Sequence, residues 1–157
     1  MRSLPKNGFT LVELLVTVTI IVILTLLAVP NFAPMLNGQR TKSASLDLVA
    51  SVTLARSEAI KRNTVVSVSA NPSGWNAGWS VTPGTAAAIR SEDALSGILI
   101  TETNGNTQFQ FGGNGRMQQP LNVSFTIQPT KAMTGAQPVC VKVGATGRTQ
   151  ILTGVCS

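Results

Sequence analysis

Apolar residues run from Phe9 to Val29, broken only by threonines and by one charged side chain, Glu13. As a helix the run would cover roughly 31 Å, close to the hydrocarbon thickness of a bilayer, which predicts one membrane-crossing helix over 9–29. A carboxylate at the start of such a stretch carries an insertion cost, so it is expected to have a partner. Another helix of the same kind is the partner its position suggests.

Past this run the pattern changes. Pro30 and Pro34 each remove a donor and crowd the preceding turn, which predicts a bend or a local loosening. The helix then resumes. From Gln39 to Lys61, Leu48, Val52, Ala55 and Ala59 recur at helical spacing with Val49 and Ile60 beside them, while Arg40, Lys42, Asp47, Arg56 and Lys61 occupy the other faces. The stripe is expected to pack on a sheet, and Arg56 and Glu58 to be solvated surface charges.

From residue 64 onward the period shortens to two. Val66, Val68 and Ala70 alternate with Ser67 and Ser69 in a strand over 65–70. Further strands are predicted over 98–103, 108–111, 122–128 and 139–143, with Phe109, Phe111, Val123, Phe125 and Ile127 inward. A last strand over 148–152 follows the glycine-bounded connection Gly144 to Gly147, a hairpin signal. Trp79 is expected to begin a strand and cover the edge of the core, and the segment between Ala88 and Leu95, with Glu92 and Asp93, to be a polar loop. Together these elements predict an α+β fold, a long bent N-terminal helix packed on an antiparallel β-sheet domain.

Composition narrows the chemistry. The chain has no His and no Tyr, so a hydrolase triad lacks its base, and no Gly-x-Ser-x-Gly elbow occurs. Glu92 and Asp93 are adjacent, which in a strand points them to opposite faces and argues against a paired acid–base role. Gly112 to Gly115 reads as a turn requiring positive φ; as a phosphate loop it lacks the following Gly-Lys-Ser/Thr and a helix. No enzyme activity and no cofactor are expected. The formal charge of +6 drops by two without Arg2 and Lys6, leaving a basic chain that permits anionic partners without requiring them.

The basic segment before Gly8, followed by Phe9-Thr10-Leu11-Val12-Glu13-Leu14-Leu15, resembles the class III signal of type IV pilins and type II secretion pseudopilins. Two later stretches, Gly78-Trp79 and Phe111-Gly112-Gly113-Asn114-Gly115-Arg116, are similar to the GspH/FimT branch, as is Ala55-Arg56-Ser57-Glu58-Ala59-Ile60. The resemblance implies a leader over 1–8, cut by a prepilin peptidase between Gly8 and Phe9, with Phe9 then N-methylated. It implies that Glu13 pairs with the N-terminal amine of a neighbouring subunit; a facing ammonium would offset the buried carboxylate and set the axial register. The competing reading is an ordinary N-terminal anchor with an incidental Glu.

On this reading the chain divides into a leader (1–8), a transmembrane segment (9–29), a helix continuation (30–63) and a β-rich head (64–157). It would sit in the inner membrane as a single-pass protein with a periplasmic head, then enter a filament with other major and minor pilins or pseudopilins. The function implied is a minor pilin that initiates or caps a type IV pilus; the alternative is a GspH-like minor pseudopilin of a type II secretion system. Cys140 and Cys156, the two cysteines of the chain, are expected to form a disulfide in that compartment. Two free thiols or a metal site are the alternatives, the latter lacking further Cys or His ligands.

A last feature bears on nucleic acid. FimT-like pilins linked to transformation carry a Gly-Arg-x-Arg motif, and Gly147-Arg148-Thr149-Gln150 keeps its first Arg while Gln replaces the second. Lys142 on the opposite strand of the same hairpin, and Lys131 before it, are expected to complete a small basic surface for DNA phosphates near the disulfide. The alternative is that these are scattered cations keeping a basic domain soluble.

Overall fold

The computed structural model describes residues 9–131 and 137–157, with side chains described outside 27–34. The expected leader, including Gly8, lies outside the described residues, and so do the side chains of Pro30 and Pro34, where the sequence predicts a bend. The chain divides into two compact units, Met1–Ala33 and Pro34–Ser157, each described by itself. One helix, α1 (Leu11–Arg62), contributes to both.

In the first unit α1 starts on a cap. Thr10 Oγ1 accepts from the Glu13 amide at 3.2 Å, the N-cap arrangement that satisfies a helix-start donor, with Glu13 in the first turn where the macrodipole favours a carboxylate. The hydroxyls of Thr17, Thr19 and Thr25 donate to the carbonyls of Leu14, Leu15 and Ile21 at 2.7–2.8 Å. Each polar group is thereby satisfied inside an otherwise apolar helix. Among the described residues no helix is long and apolar enough to cross a membrane; the described side chains of the apolar stretch stop at Leu26, so the residues that would complete the expected 9–29 span are not among them.

In the second unit α1 buries Ala44, Leu48, Val52, Ala55 and Ala59, the predicted stripe extended by one turn. Thr41, Ser45 and Ser51 are buried in the same face and return their hydroxyls to carbonyls three or four residues back. Small residues on this face let strands approach closely. The helix ends at Asn63, whose φ of 47° is the left-handed cap; Asn63 N donates to Ile60 O and Thr64 N to Ala59 O, the paired bonds of a Schellman motif.

Eight strands follow: β1 (Val66–Asn71), β2 (Gly74–Pro83), β3 (Arg90–Glu92), β4 (Ile98–Glu102), β5 (Gln108–Phe111), β6 (Val123–Pro129), β7 (Val139–Val143) and β8 (Thr149–Thr153). They form two four-stranded antiparallel sheets, ordered β3-β2-β1-β5 and β4-β6-β7-β8. Inward residues of both sheets and the α1 stripe make one core, centred on Phe109, Phe111, Phe125, Trp75 and Trp79. Trp75 stacks near Phe109 and meets Phe125 edge-on at 4.8 Å, geometry that ring quadrupoles favour.

The α+β expectation describes this chain, with two corrections in the strands. β2 begins at Gly74, not Trp79, so both tryptophans lie in it. The stretch expected as a polar loop contains β3, a short edge strand whose Arg90 Nε bonds Glu92 Oε1 at 2.6 Å. Its charges hide it from an apolar-alternation reading while suiting an edge position.

Candidate functional site

Three places carry the residues singled out by the sequence. At the start of the described chain Phe9 is 75% exposed and Glu13 sits in the first turn of α1. The second place is the glycine-rich connection after β5. A Cβ on Gly113 would fall 2.4 Å from Asn63 Oδ1, and one on Gly115, whose φ is 71°, would fall 2.6 Å from Ile60 Cδ1. The loop therefore lies flat on the end of α1, and Arg56 Nε holds it by donating to Gly115 O at 3.2 Å. Arg56 is exposed, and Glu58 pairs with Arg62 one turn on at 2.6 Å; both are charges on the helix surface, each with a structural partner.

The third place is the β7–β8 hairpin. Cys140 and Cys156 are joined, with Cα atoms 5.1 Å apart, and Cys156 N donates to Thr126 Oγ1 at 3.0 Å. Residues 154–157 are thus drawn across the outer face of the second sheet. On that face Ser124, Lys142 and Gln150 are aligned by register across β6, β7 and β8. With Asn122, Thr146 and Arg148 they line an open cleft of about 470 Å³. No carboxylate side chain lines it. Lys142 Nζ donates to Ser157 O at 3.2 Å, while Arg148 is exposed. The cleft presents two cations with hydroxyl and amide donors, which suits an anionic group.

The structure brings Lys142 and Arg148 together as the sequence predicts; Lys131 is elsewhere. Because β6 and β7 are antiparallel with Val123 opposite Val143, Lys131 follows the other end of β6, about 20 Å along the strand from Ser124. It belongs to no common surface with Lys142 and Arg148.

Glu102 escaped sequence reasoning. It is buried and its Oε2 accepts from Asn104 N, Asn106 N and Asn106 Nδ2 at 2.9, 2.6 and 3.1 Å. The carboxylate pins the β4–β5 turn rather than serving chemistry. Among the described residues no group of three or more His, Cys, Asp or Glu could hold a metal ion.

Two family models match the chain. The type II transport protein GspH model covers residues 44–147, and the prokaryotic N-terminal methylation motif covers 4–29. No curated protein matches. Among solved structures, the type IV minor pilin FimU of Pseudomonas aeruginosa is 24% identical with a TM-score of 0.63, over 73% of this chain and 89% of that one. A second crystal form of FimU gives 25% and 0.60, over 71% and 91%. The minor pseudopilin EpsH from the type 2 secretion system of Vibrio cholerae is 13% identical with a TM-score of 0.56, over 73% and 97%, a likeness of fold.

Proposed function

The chain belongs to the GspH family, and from that premise we propose that it is a minor pilin of a type IV pilus, held in the inner membrane by its N-terminal helix until it is assembled. The observation that carries this reading is the sequence of modules: a methylation motif over 4–29 and a GspH head over 44–147 on the same chain, with Glu13 as the charged residue of the apolar run. In the proposal a prepilin peptidase cuts after Gly8, Phe9 is methylated, and Glu13 accepts the N-terminal ammonium of a neighbouring subunit. That contact compensates both charges in a low-dielectric bundle. The head then contacts sibling minor subunits at the start or end of the filament.

The likeness to FimU supports the pilus reading. The second reading, a minor pseudopilin of a type II secretion system, is favoured by the family's own description and by the shared fold with EpsH. Glu13→Ala separates an assembly role from an incidental one. Its abundance in sheared surface filaments, relative to membranes, should fall at least tenfold while the head remains folded; equal incorporation would contradict the role given to Glu13. Filaments lacking the chain, together with lost secretion in its absence, would favour the pseudopilin reading.

A basic cleft at the hairpin supports one addition, capture of DNA by the head. Lys142 and Arg148 line the same cleft, and binding there would act through phosphate charge, independent of base sequence.

A further inference from the structure

Among the described residues, each sheet edge in the head is protected except one. β3 is three residues long and charged. β5 is covered by the segment after it, through Gln118 N to Gln110 O and Gly112 N to Arg116 O. The outer side of β4 is met by Asn76, whose Oδ1 accepts from Ile100 N at 3.1 Å. β8 has no such cover among the described residues.

The register shows what β8 presents. Gly144 N donates to Arg148 O and Gly154 N to Pro138 O, so in the alternating antiparallel ladder residues 148, 150, 152 and 154 bond to β7. Thr149, Ile151 and Thr153 therefore turn their N–H and C=O groups to the open side. From Thr149 to Ser157 the strand and its C-terminal tail contain no charged side chain and no proline, the devices that normally guard an edge. Ile151, Leu152 and Val155 are 46%, 47% and 65% exposed. The disulfide and the Cys156–Thr126 bond draw residues 154–157 over the sheet face, so these residues do not close the edge.

Charge selects the occupant. Arg148 stands at the beginning of β8, and Arg116 lies near it, because Met117 N donates to Ala145 O in the hairpin turn at 2.9 Å. A strand added antiparallel places its C-terminal end beside these cations. A second copy pairing β8 to β8 would bring no carboxylate side chain there, and two chains of net positive charge repel. We propose that the open edge of β8 takes up an extended segment of another protein as an added antiparallel strand, apolar at alternate positions and acidic at its C-terminal end. This inference concerns the head alone and holds for either filament.

The test uses the full chain in detergent micelles and two fluorescent nine-residue peptides of alternating valine and threonine, one ending in two aspartates and the other in two lysines. The aspartate peptide is expected to bind and to slow hydrogen exchange at Thr149, Ile151 and Thr153, with the lysine peptide about tenfold weaker, the effect of a cationic end on a charged partner. Ile151→Pro removes an outward N–H and takes none of the bonds from residues 150 and 152 to β7, so it should abolish binding while the disulfide and melting midpoint persist. If that variant fails to fold, Ile151→Asp, which sets a like charge beside the acidic peptide, should weaken binding at least tenfold. Absence of protection at those three amides would overturn the proposal, as would binding that Ile151→Pro or Ile151→Asp leaves unchanged. A concentration-dependent dimer of the chain, lost on Ile151→Pro, would overturn it in favour of a second copy.

Discussion

Trp79 Nε1 donates to Ser51 Oγ at 2.9 Å, and that hydroxyl donates in turn to Asp47 O at 2.9 Å. Both Trp79 and Ser51 are buried, so this short chain of bonds ties β2 to the covered face of α1 and explains why a tryptophan can sit there. Ser51→Ala should cost about 1–3 kcal/mol, because the indole N–H is left without an acceptor. Adding Trp79→Phe to Ser51→Ala should cost less than it does in the native chain, since the bond is already gone. Denaturant titration of the four proteins reads the coupling; strict additivity would show that the bond contributes nothing.

Among the described glycines, Gly78 has the closest neighbour. Its φ is 103° and a Cβ there would fall 2.0 Å from the Glu92 carbonyl oxygen, whereas Gly74, with φ 98°, has nothing within 4 Å. The two share a positive φ and differ in the close approach of β3 to Gly78. Gly74→Ala is therefore expected to cost about 1–2 kcal/mol of strain alone, and Gly78→Ala about 3 kcal/mol or more. Similar melting midpoints for the two variants would contradict the close approach.

Arg62 donates to Glu58 and holds its carboxyl below the ordinary value of 4.5, with Lys61 adding to the effect. Because the folded value is lowered, the contribution to stability is present above the unfolded carboxylate range and is lost as pH falls through the folded one. The native chain should thus be slightly more stable than Glu58→Gln near neutrality, and the gap should close on acidification. The pairing is solvent-facing, so the gap is small and shrinks in salt. Melting curves from neutral pH downward check it; a gap that does not change with pH would contradict the pairing.

What could be read from the residues depended on whether the partner was local. The α1 stripe and the alternation in β6 are legible because their apolar periods report burial directly. Lys142 and Arg148 come together because a short hairpin separates them. Lys131 falls outside that surface because its position rests on the pairing of β6 with β7, a non-local fact. β3 carries no apolar alternation, and the burial of Glu102 is satisfied by backbone donors, which no sequence pattern announces. The Gly112 to Gly115 segment is legible as a turn, but the end of α1 beneath it is not.

The cleft beside the hairpin makes a separate prediction. Full-length chain in detergent should bind duplex DNA weakly at low salt and lose most of that binding at moderate salt, without base preference. Arg148→Gln and Lys142→Gln should each weaken binding and flatten its salt dependence, and Lys131→Gln should leave both unchanged. Binding that depends on Lys131 and not on Arg148 would contradict the placement of the cleft.

Processing at the N-terminus is the claim on which the filament role rests, and N-terminal peptide mass spectrometry of the chain purified from cells with an intact prepilin peptidase tests it most directly. The predicted result is a chain that begins at Phe9, carries one methyl group on its amine and retains the helix through Val29. A chain still beginning at Met1, or one that begins beyond Val29, would contradict it.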